Sequence, residues 1–164
     1  MWSKPTLNST FDMIKARIFM DDVRATTAHD VLHDALYRER WDKYVHNATD
    51  IGLINPNNDM CYYAIKAMPP FQDRDFVLQR SWLDMGNEKF ICSHSVSHEK
   101  YPPVKGYIRT TMFLTAYLIQ EVGEGCQSTY ITHADPKACK SYPKWKSDHH
   151  PEWNPVNFLR ITMS

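Results

Sequence analysis

Three short segments rich in turn-forming residues divide the middle of the chain, and they limit the folds that it can adopt. The segments are residues 55–59, 85–88 and 123–125, and they contain Asn-Pro-Asn-Asn-Asp, Met-Gly-Asn-Glu and Gly-Glu-Gly. Asn, Asp, Gly and Pro favour tight turns because they adopt or stabilise the backbone angles that turns require. The apolar runs beside each turn have the length of strands. We therefore predict a series of antiparallel strands with short connections.

The predicted elements give an α+β chain. The strands are 11–20, 51–54, 60–67, 76–83, 89–96, a long strand from 107 to 119, and 128–134. A helix with Thr26 or Thr27 as its N-cap is predicted to run to about Tyr37, because apolar residues recur at 28, 31, 32 and 35. Residues 38–45 form a second short helix or an irregular segment. The fold class is α+β, with a curved antiparallel sheet whose inner face needs a cover.

The amino-acid composition limits the kinds of function that the chain can have. The chain has 164 residues, which suits one domain, and it contains seven Phe, five Trp and nine Tyr, which suit a large core or an apolar cavity. Lys plus Arg equal Asp plus Glu at 19 each, so the charge balance argues against a nucleic-acid partner. The absence of a signal-like start and of long apolar runs predicts a cytoplasmic location. The four scattered cysteines predict reduced thiols.

Several ordered motifs together resemble one family. They are Tyr37-Arg38 with Trp41-Asp42, Arg74-Asp75, Arg80-Ser81-Trp82-Leu83-Asp84-Met85-Gly86, Lys100-Tyr101-Pro102-Pro103, Tyr117-Leu118-Ile119-Gln120 and Asp135-Pro136-Lys137. In this order they resemble the START (StAR-related lipid transfer) domain, and within it the phosphatidylcholine-transfer branch. The resemblance covers roughly residues 11–136. It implies a helix-grip fold, in which a curved sheet and a long C-terminal helix enclose a tunnel for one lipid.

The resemblance also implies a function and its residues. The function is the binding and intermembrane transfer of phosphatidylcholine or phosphatidylethanolamine, with no enzyme activity and no cofactor. The partners would be the phospholipid and, transiently, a membrane surface. Arg38 and Asp42 match the pair that serves the lipid phosphate, and Tyr63, Phe76 and Phe113 match three aromatic residues around choline. The alternatives are an ordinary salt bridge for the pair and core packing for the rings.

Other chemistry has weaker support. Arg74, Asp75 and Arg109 are expected to hold strands together rather than to contact lipid. His94 and His98 would share a strand face, but zinc needs further ligands, so no metal site is predicted. No cysteine has an assigned histidine partner, which argues against a cysteine nucleophile.

The C-terminal part departs from the family pattern. Residues 137–164 are interrupted by Pro143, Pro151 and Pro155 and contain no long apolar stripe. We therefore predict a lipid-binding domain over 1–136, an irregular tail over 137–164, and a closing helix that is missing or shortened. A chain without that helix would be marginally stable or open along one face. The alternative function is a truncated variant without transfer activity, which acts as an interaction or regulatory module.

Overall fold

Nine strands form one curved, largely antiparallel sheet in the computed structural model of the chain, which describes residues 1–6, 11–67, 71–135 and 137. The strands are β1 (Trp2–Lys4), β2 (Met13–Met20), β3 (Val45–Asn55), β4 (Asn58–Ile65), β5 (Asp73–Asp84), β6 (Glu88–Ser95), β7 (Tyr107–Arg109), β8 (Thr111–Val122) and β9 (Gly125–Asp135). Their order in the sheet is β1-β2-β9-β8-β6-β5-β4-β3, and β7 pairs with β5 from outside this path. The predicted α+β class with a curved antiparallel sheet is confirmed.

All three predicted turns connect neighbouring antiparallel strands. They join β3 to β4, β5 to β6 and β8 to β9. Gly86 and Gly123 have φ angles of 78° and 62° in the second and third turns, where a residue with a Cβ would be strained. Local turn chemistry therefore fixes the hairpins, as the sequence predicts.

The helices are shorter than predicted. The first, α1 (Ala25–His33), begins before the predicted caps, and its N-terminal amide at Ala25 donates to the Glu121 carboxylate at 3.2 Å. It ends four residues early because Asp34 Oδ1 accepts hydrogen bonds from the backbone amides of Leu36 and Tyr37, which form a turn. The second, α2, covers only Arg38–Trp41. Neither described helix has the length and hydropathy that a membrane span requires.

Three strands differ from the sequence prediction. The strand β1 was not predicted, and β3 begins six residues earlier than the predicted 51–54 strand. The long strand from residue 107 is broken at Thr110, whose amide donates to the Asp75 carbonyl oxygen at 3.0 Å. This break gives β7 a parallel pairing with β5, the one departure from the antiparallel pattern among the described strands.

The two helices cover one side of the sheet, which we call the helix-side face. Ala25 and Ala28 of α1 pack there against residues of β2, β6, β8 and β9, which are Ile18, Met20, Ile91, Tyr117, Ile119 and Cys126. A second cluster on this face, around Tyr63, Phe76 and Leu78, meets Ala35 in the turn that follows α1. The opposite face has its own cluster, with Tyr62, Ala64 and Val77 at its centre. The predicted loss of a closing helix concerns residues outside the described part.

Gly125, the first residue of β9, is required by close packing. A Cβ at this position would clash with the Met20 carbonyl oxygen and lie 2.7 Å from the Asp21 Cα. We expect Gly125→Ala to lower the free energy of unfolding by about 1–3 kcal/mol because backbone must move to admit the methyl group. Urea unfolding would measure this. Glu124→Ala, at an exposed side chain, should change it by less than about 0.5 kcal/mol, and equal effects of the two variants would refute the packing argument.

Candidate functional site

Arg38 and Asp42 form an ion pair at the two ends of α2. The spacing of four residues places both side chains on one side of the helical turn, and Arg38 Nε donates to Asp42 Oδ2 at 3.2 Å. Asp42 is only 2% exposed, and its other carboxylate oxygen accepts from the Tyr44 amide at 3.1 Å. The carboxylate is therefore fixed from two directions, and it orients the guanidinium group.

The Arg38 guanidinium lies over two aromatic rings, and its outer nitrogens are not bonded to the described part of the chain. Its central carbon is 4.6 Å from the Tyr63 ring centroid and 5.6 Å from that of Trp41. Nη1 and Nη2 make no hydrogen bond to any residue that the structure describes. The side chain is 28% exposed, so these donors have access to solvent or to a ligand.

Arg109 and Arg80 are paired arginines on strands, and both use all three guanidinium nitrogens in hydrogen bonds to other residues. Arg109 Nε and Nη2 donate to both oxygens of the buried Asp75 at 3.0 and 2.8 Å, and its Nη groups also reach the carbonyl oxygens of Tyr101 and Pro102. Arg80 donates twice to Asp59 and once to a carbonyl oxygen at the end of α1. Both pairs join neighbouring elements, and every guanidinium nitrogen of Arg80 and Arg109 makes at least one hydrogen bond.

Two of the three residues that were predicted to hold strands together form a pair between strands. Asp75 and Arg109 pair across β5 and β7, as predicted for this group. Arg74 instead donates to the Gln72 carbonyl oxygen at 2.6 Å and lies beside Phe71. The buried pair of Arg80 and Asp59 was not predicted, although Arg80 follows Phe76 and Leu78 in the alternation that marks the helix-side face of β5.

Charge at Arg38 persists at all physiological pH values. Burial alone would lower its pKa, but the phenol groups of Tyr63 and Tyr117 and the Asp42 carboxylate together raise it above the usual value. Burial also raises the pKa of Tyr63 to about 12, so its hydroxyl stays protonated. The site therefore presents a permanent cation beside neutral rings, which suits an anion with several acceptor oxygens.

Tyr63 and Phe76 meet, but Phe113 lies elsewhere. The first two are register partners on β4 and β5, and their rings stack with centroids 4.8 Å apart. Phe113 sits at a register shift in β8, is 47% exposed, and places its ring 4.7 Å from His133. Its neighbour Met112 packs against the Tyr63 cluster instead. The structure thus brings together four of the five predicted residues and not the third ring of the predicted cage.

Two tyrosines that the sequence analysis did not single out for this site lie in the cluster that α1 covers on the helix-side face. Tyr117 of β8 and Tyr130 of β9 are register partners, with ring centroids 4.8 Å apart. Both are among the groups that raise the pKa of Arg38. Tyr117 occurs in a matched motif, but only the register between β8 and β9 brings it to Tyr130.

Buried acidic groups near the site give an alkaline limit to stability. Burial raises the pKa of the Cys61 thiol from 9.0 to about 11. The unfolded chain therefore releases this proton first, so the free energy of unfolding should fall as pH rises from about 9 to 11, by at most about 1.4 kcal/mol per pH unit. Urea unfolding at several pH values measures the slope. Cys61→Ala should show a shallower decline, and an unchanged slope would contradict this assignment.

Comparison with known proteins identifies the family. A family model described as the START domain matches residues 3–155. Human START domain-containing protein 10 is 37% identical over 190 residues, which are 95% of this chain and 65% of that protein. Bovine phosphatidylcholine transfer protein is 26% identical over 145 residues, which are 86% of this chain and 67% of that protein.

A solved structure agrees with these sequence matches. The crystal structure of human STARD10 superposes with a TM-score of 0.78 and 42% identity, and covers 85% of this chain and 56% of that one. The chain spans between about half and two thirds of the length of these STARD10 relatives. Sequence, fold and topology agree, and the chain belongs to the START domain family.

Proposed function

We propose that the chain binds one phospholipid against the helix-side face, with Arg38 on the phosphate, and carries it between membranes. The observation that carries the proposal concerns Arg38, whose Nη1 and Nη2 make no hydrogen bond to the described residues while Asp42 holds the guanidinium through Nε. A guanidinium fork matches two oxygens of a phosphodiester, and such charge-assisted hydrogen bonds are stronger than neutral ones. The name of the bovine phosphatidylcholine transfer protein, a relative at 26% identity, supports a phospholipid as the ligand.

The aromatic residues suggest which head groups the site would accept. Arg38 already lies against the Tyr63 ring, and Phe113 lies apart from Tyr63 and Phe76. A quaternary ammonium gains most when several ring faces surround it. We therefore propose that phosphatidylcholine and phosphatidylethanolamine are both ligands, and that the phosphate contributes more to affinity than the amine.

The proposed activity also implies a lipid-binding unit, a membrane partner and a cellular location. The residues that carry it lie within 1–136, which we propose as the lipid-binding unit. Transfer requires a transient encounter with a membrane surface, and we propose a cytoplasmic location for it. Neither lipid binding nor release needs a covalent step or a cofactor.

Native mass spectrometry of the purified chain, followed by lipid extraction from the same sample, tests this function. We expect one phospholipid per chain after incubation with vesicles that contain equal amounts of phosphatidylcholine and phosphatidylethanolamine. Transfer is then measured as the movement of a fluorescent phospholipid from donor to acceptor vesicles. A chain that stays empty, or that forms dimers without lipid, would instead support the non-transferring variant described above.

A further inference from the structure

The strand β2 presents positive charge on the face of the sheet that lies away from the helices. Ile18 and Met20 of β2 pack in the cluster that α1 covers on the helix-side face. Successive side chains of a strand point to opposite faces, so Lys15, Arg17 and Phe19 point away from the helices. Arg17 and Phe19 are exposed, and Lys15 is half-buried.

The edge strand β1 adds a tryptophan and a third cation to the same face. Trp2 is the register partner of Lys15, and Lys4 is the register partner of Met13. Residues directly opposite each other on paired strands share a face. We call the resulting group the basic edge surface, and its residues are Trp2, Lys4, Lys15, Arg17 and Phe19. Its two aromatic side chains, Trp2 and Phe19, are 57% and 58% exposed.

The three cations of the basic edge surface form no ion pair with any residue that the structure describes. Neither β1 nor β2 contains Asp or Glu, and the neighbouring strand β9 contains one only at its last position. Asp12 accepts a hydrogen bond from Ser3, whose register partner Ile14 belongs to the helix-side face. Asp21 and Asp22 follow β2 at the end that β1 does not reach. The positive charge of this surface is therefore not balanced locally.

An anionic bilayer is the partner that fits both the charges and the rings of this surface. Cations on a sheet edge can serve only to keep other chains from pairing with it, but two largely exposed aromatic rings beside them would oppose that effect. A second copy of the chain, docked about a two-fold axis, would bring the cations of both copies together. At a membrane surface, aromatic rings lie at the level of the head groups while Lys and Arg attract anionic lipids.

We infer that the basic edge surface docks the chain on the anionic phospholipid surface of a membrane during lipid transfer. The inference rests on the proposed function, because a lipid carrier must reach a bilayer to load and to release its ligand. Arg38 and Tyr63 belong to the helix-side face, whereas the docking cations point to the opposite one. The cations can therefore be removed without a change to the proposed lipid site.

Sedimentation with vesicles tests this docking. The vesicles contain phosphatidylcholine alone or phosphatidylcholine with phosphatidylserine, and each set is measured at low and at high salt. The test variant combines Lys15→Gln with Arg17→Gln. The matched control combines Lys100→Gln with Lys105→Gln, which removes the same charge from two exposed positions between β6 and β7. Thermal unfolding confirms that both variants fold, and native mass spectrometry measures the phospholipid that each retains.

We expect the unmodified chain to bind vesicles with phosphatidylserine more tightly than vesicles without it, and salt to weaken this binding. The variant at 15 and 17 should bind the anionic vesicles about 30-fold more weakly, because each cation near such a surface contributes about fivefold. The control should bind as the unmodified chain does. Combined Trp2→Ala and Phe19→Ala should reduce the binding that remains at high salt, since salt does not screen the contact of the rings.

Three results would overturn the docking inference. The first is equal binding to vesicles with and without phosphatidylserine. The second is an equal loss in the variant at 15 and 17 and in the control, because net charge rather than this surface would then decide binding. The third is a dimer of the unmodified chain in analytical ultracentrifugation that the variant at 15 and 17 converts to a monomer, because a second copy would then occupy the surface.

The same samples separate this inference from the proposed function. If the unmodified chain retains one phospholipid and transfers it, while the variant at 15 and 17 sediments equally well, only the docking inference fails. If the unmodified chain sediments through the basic edge surface but never retains a phospholipid, the proposed function fails and docking stands. Slower transfer by a variant that retains its phospholipid but sediments poorly supports both.

Discussion

Arg38→Gln should weaken phospholipid binding by about 100-fold, because it removes the charge and the fork that two phosphate oxygens would share. The change corresponds to about 3 kcal/mol, the upper range for a hydrogen bond to a charged group. Arg38→Lys should lose much of the affinity as well, since an ammonium group keeps the charge but not the planar pair of donors. Titration with phosphatidylcholine vesicles measures both effects.

Arg38→Gln also leaves Asp42 without its partner, and a second substitution at Asp42 controls for this effect. Removal of Arg38 leaves a carboxylate that is 2% exposed beside the Tyr44 amide, and an unpaired buried charge lowers stability. The double variant Arg38→Gln with Asp42→Asn removes both charges and should recover stability without recovering binding. Arg74→Ala serves as a matched arginine control, because its side chain contacts Gln72 and Phe71. Recovery of binding in the double variant would argue against the phosphate role of Arg38.

Asp75→Ala should lower the free energy of unfolding by about 3–5 kcal/mol, a large part of the stability of a domain. Asp75 is fully buried and accepts two hydrogen bonds from Arg109. Its removal leaves a guanidinium that is only 20% exposed without its carboxylate, and it loosens the parallel pairing of β7 with β5. Chemical denaturation of the purified variant measures the loss.

An exposed ion pair provides the reference for this prediction. Arg24 and Glu124 also lie 2.9 Å apart, but their side chains are 64% and 88% exposed. Solvent screens such a pair, so Glu124→Ala should lower the free energy of unfolding by less than about 0.5 kcal/mol. If Asp75→Ala and Glu124→Ala lowered the free energy of unfolding by similar amounts, burial would not determine how much these ion pairs contribute to stability.

Local chemistry explains what could be predicted from the sequence. The hairpins follow from turns in which a few adjacent residues decide the backbone angles, and Arg38 and Asp42 meet because four residues make about one helical turn. The predicted end of α1 was wrong. The apolar spacing continues to Ala35, but Asp34 forms a competing turn with Leu36 and Tyr37 that ends the helix at His33. Periodicity does not reveal which of two local structures has the better hydrogen bonds.

Long-range register explains what could not be predicted. Tyr117 and Tyr130 meet because β8 and β9 are paired in the sheet, and nothing in either local sequence indicates this register. The family resemblance predicts Phe113 beside Tyr63 and Phe76, but the register shift between Met112 and Leu114 removes it from the regular alternation. A single irregular position in a strand thus changes which side chain reaches the site.

The place of β2 in the sheet has a consequence for the synthesis of this protein. Met20 pairs with Cys126, so β2 must wait for a partner strand more than 100 positions later in the chain. At bacterial or eukaryotic translation rates of about 5–20 residues per second, that wait lasts roughly 5–20 s. Until then the edge of β2 away from β1 stays unpaired, and such an edge exposes hydrogen-bonding groups that other chains can capture. The nascent protein is therefore most vulnerable to aggregation before β9 leaves the ribosome, and a chaperone that shields β2 would increase its yield.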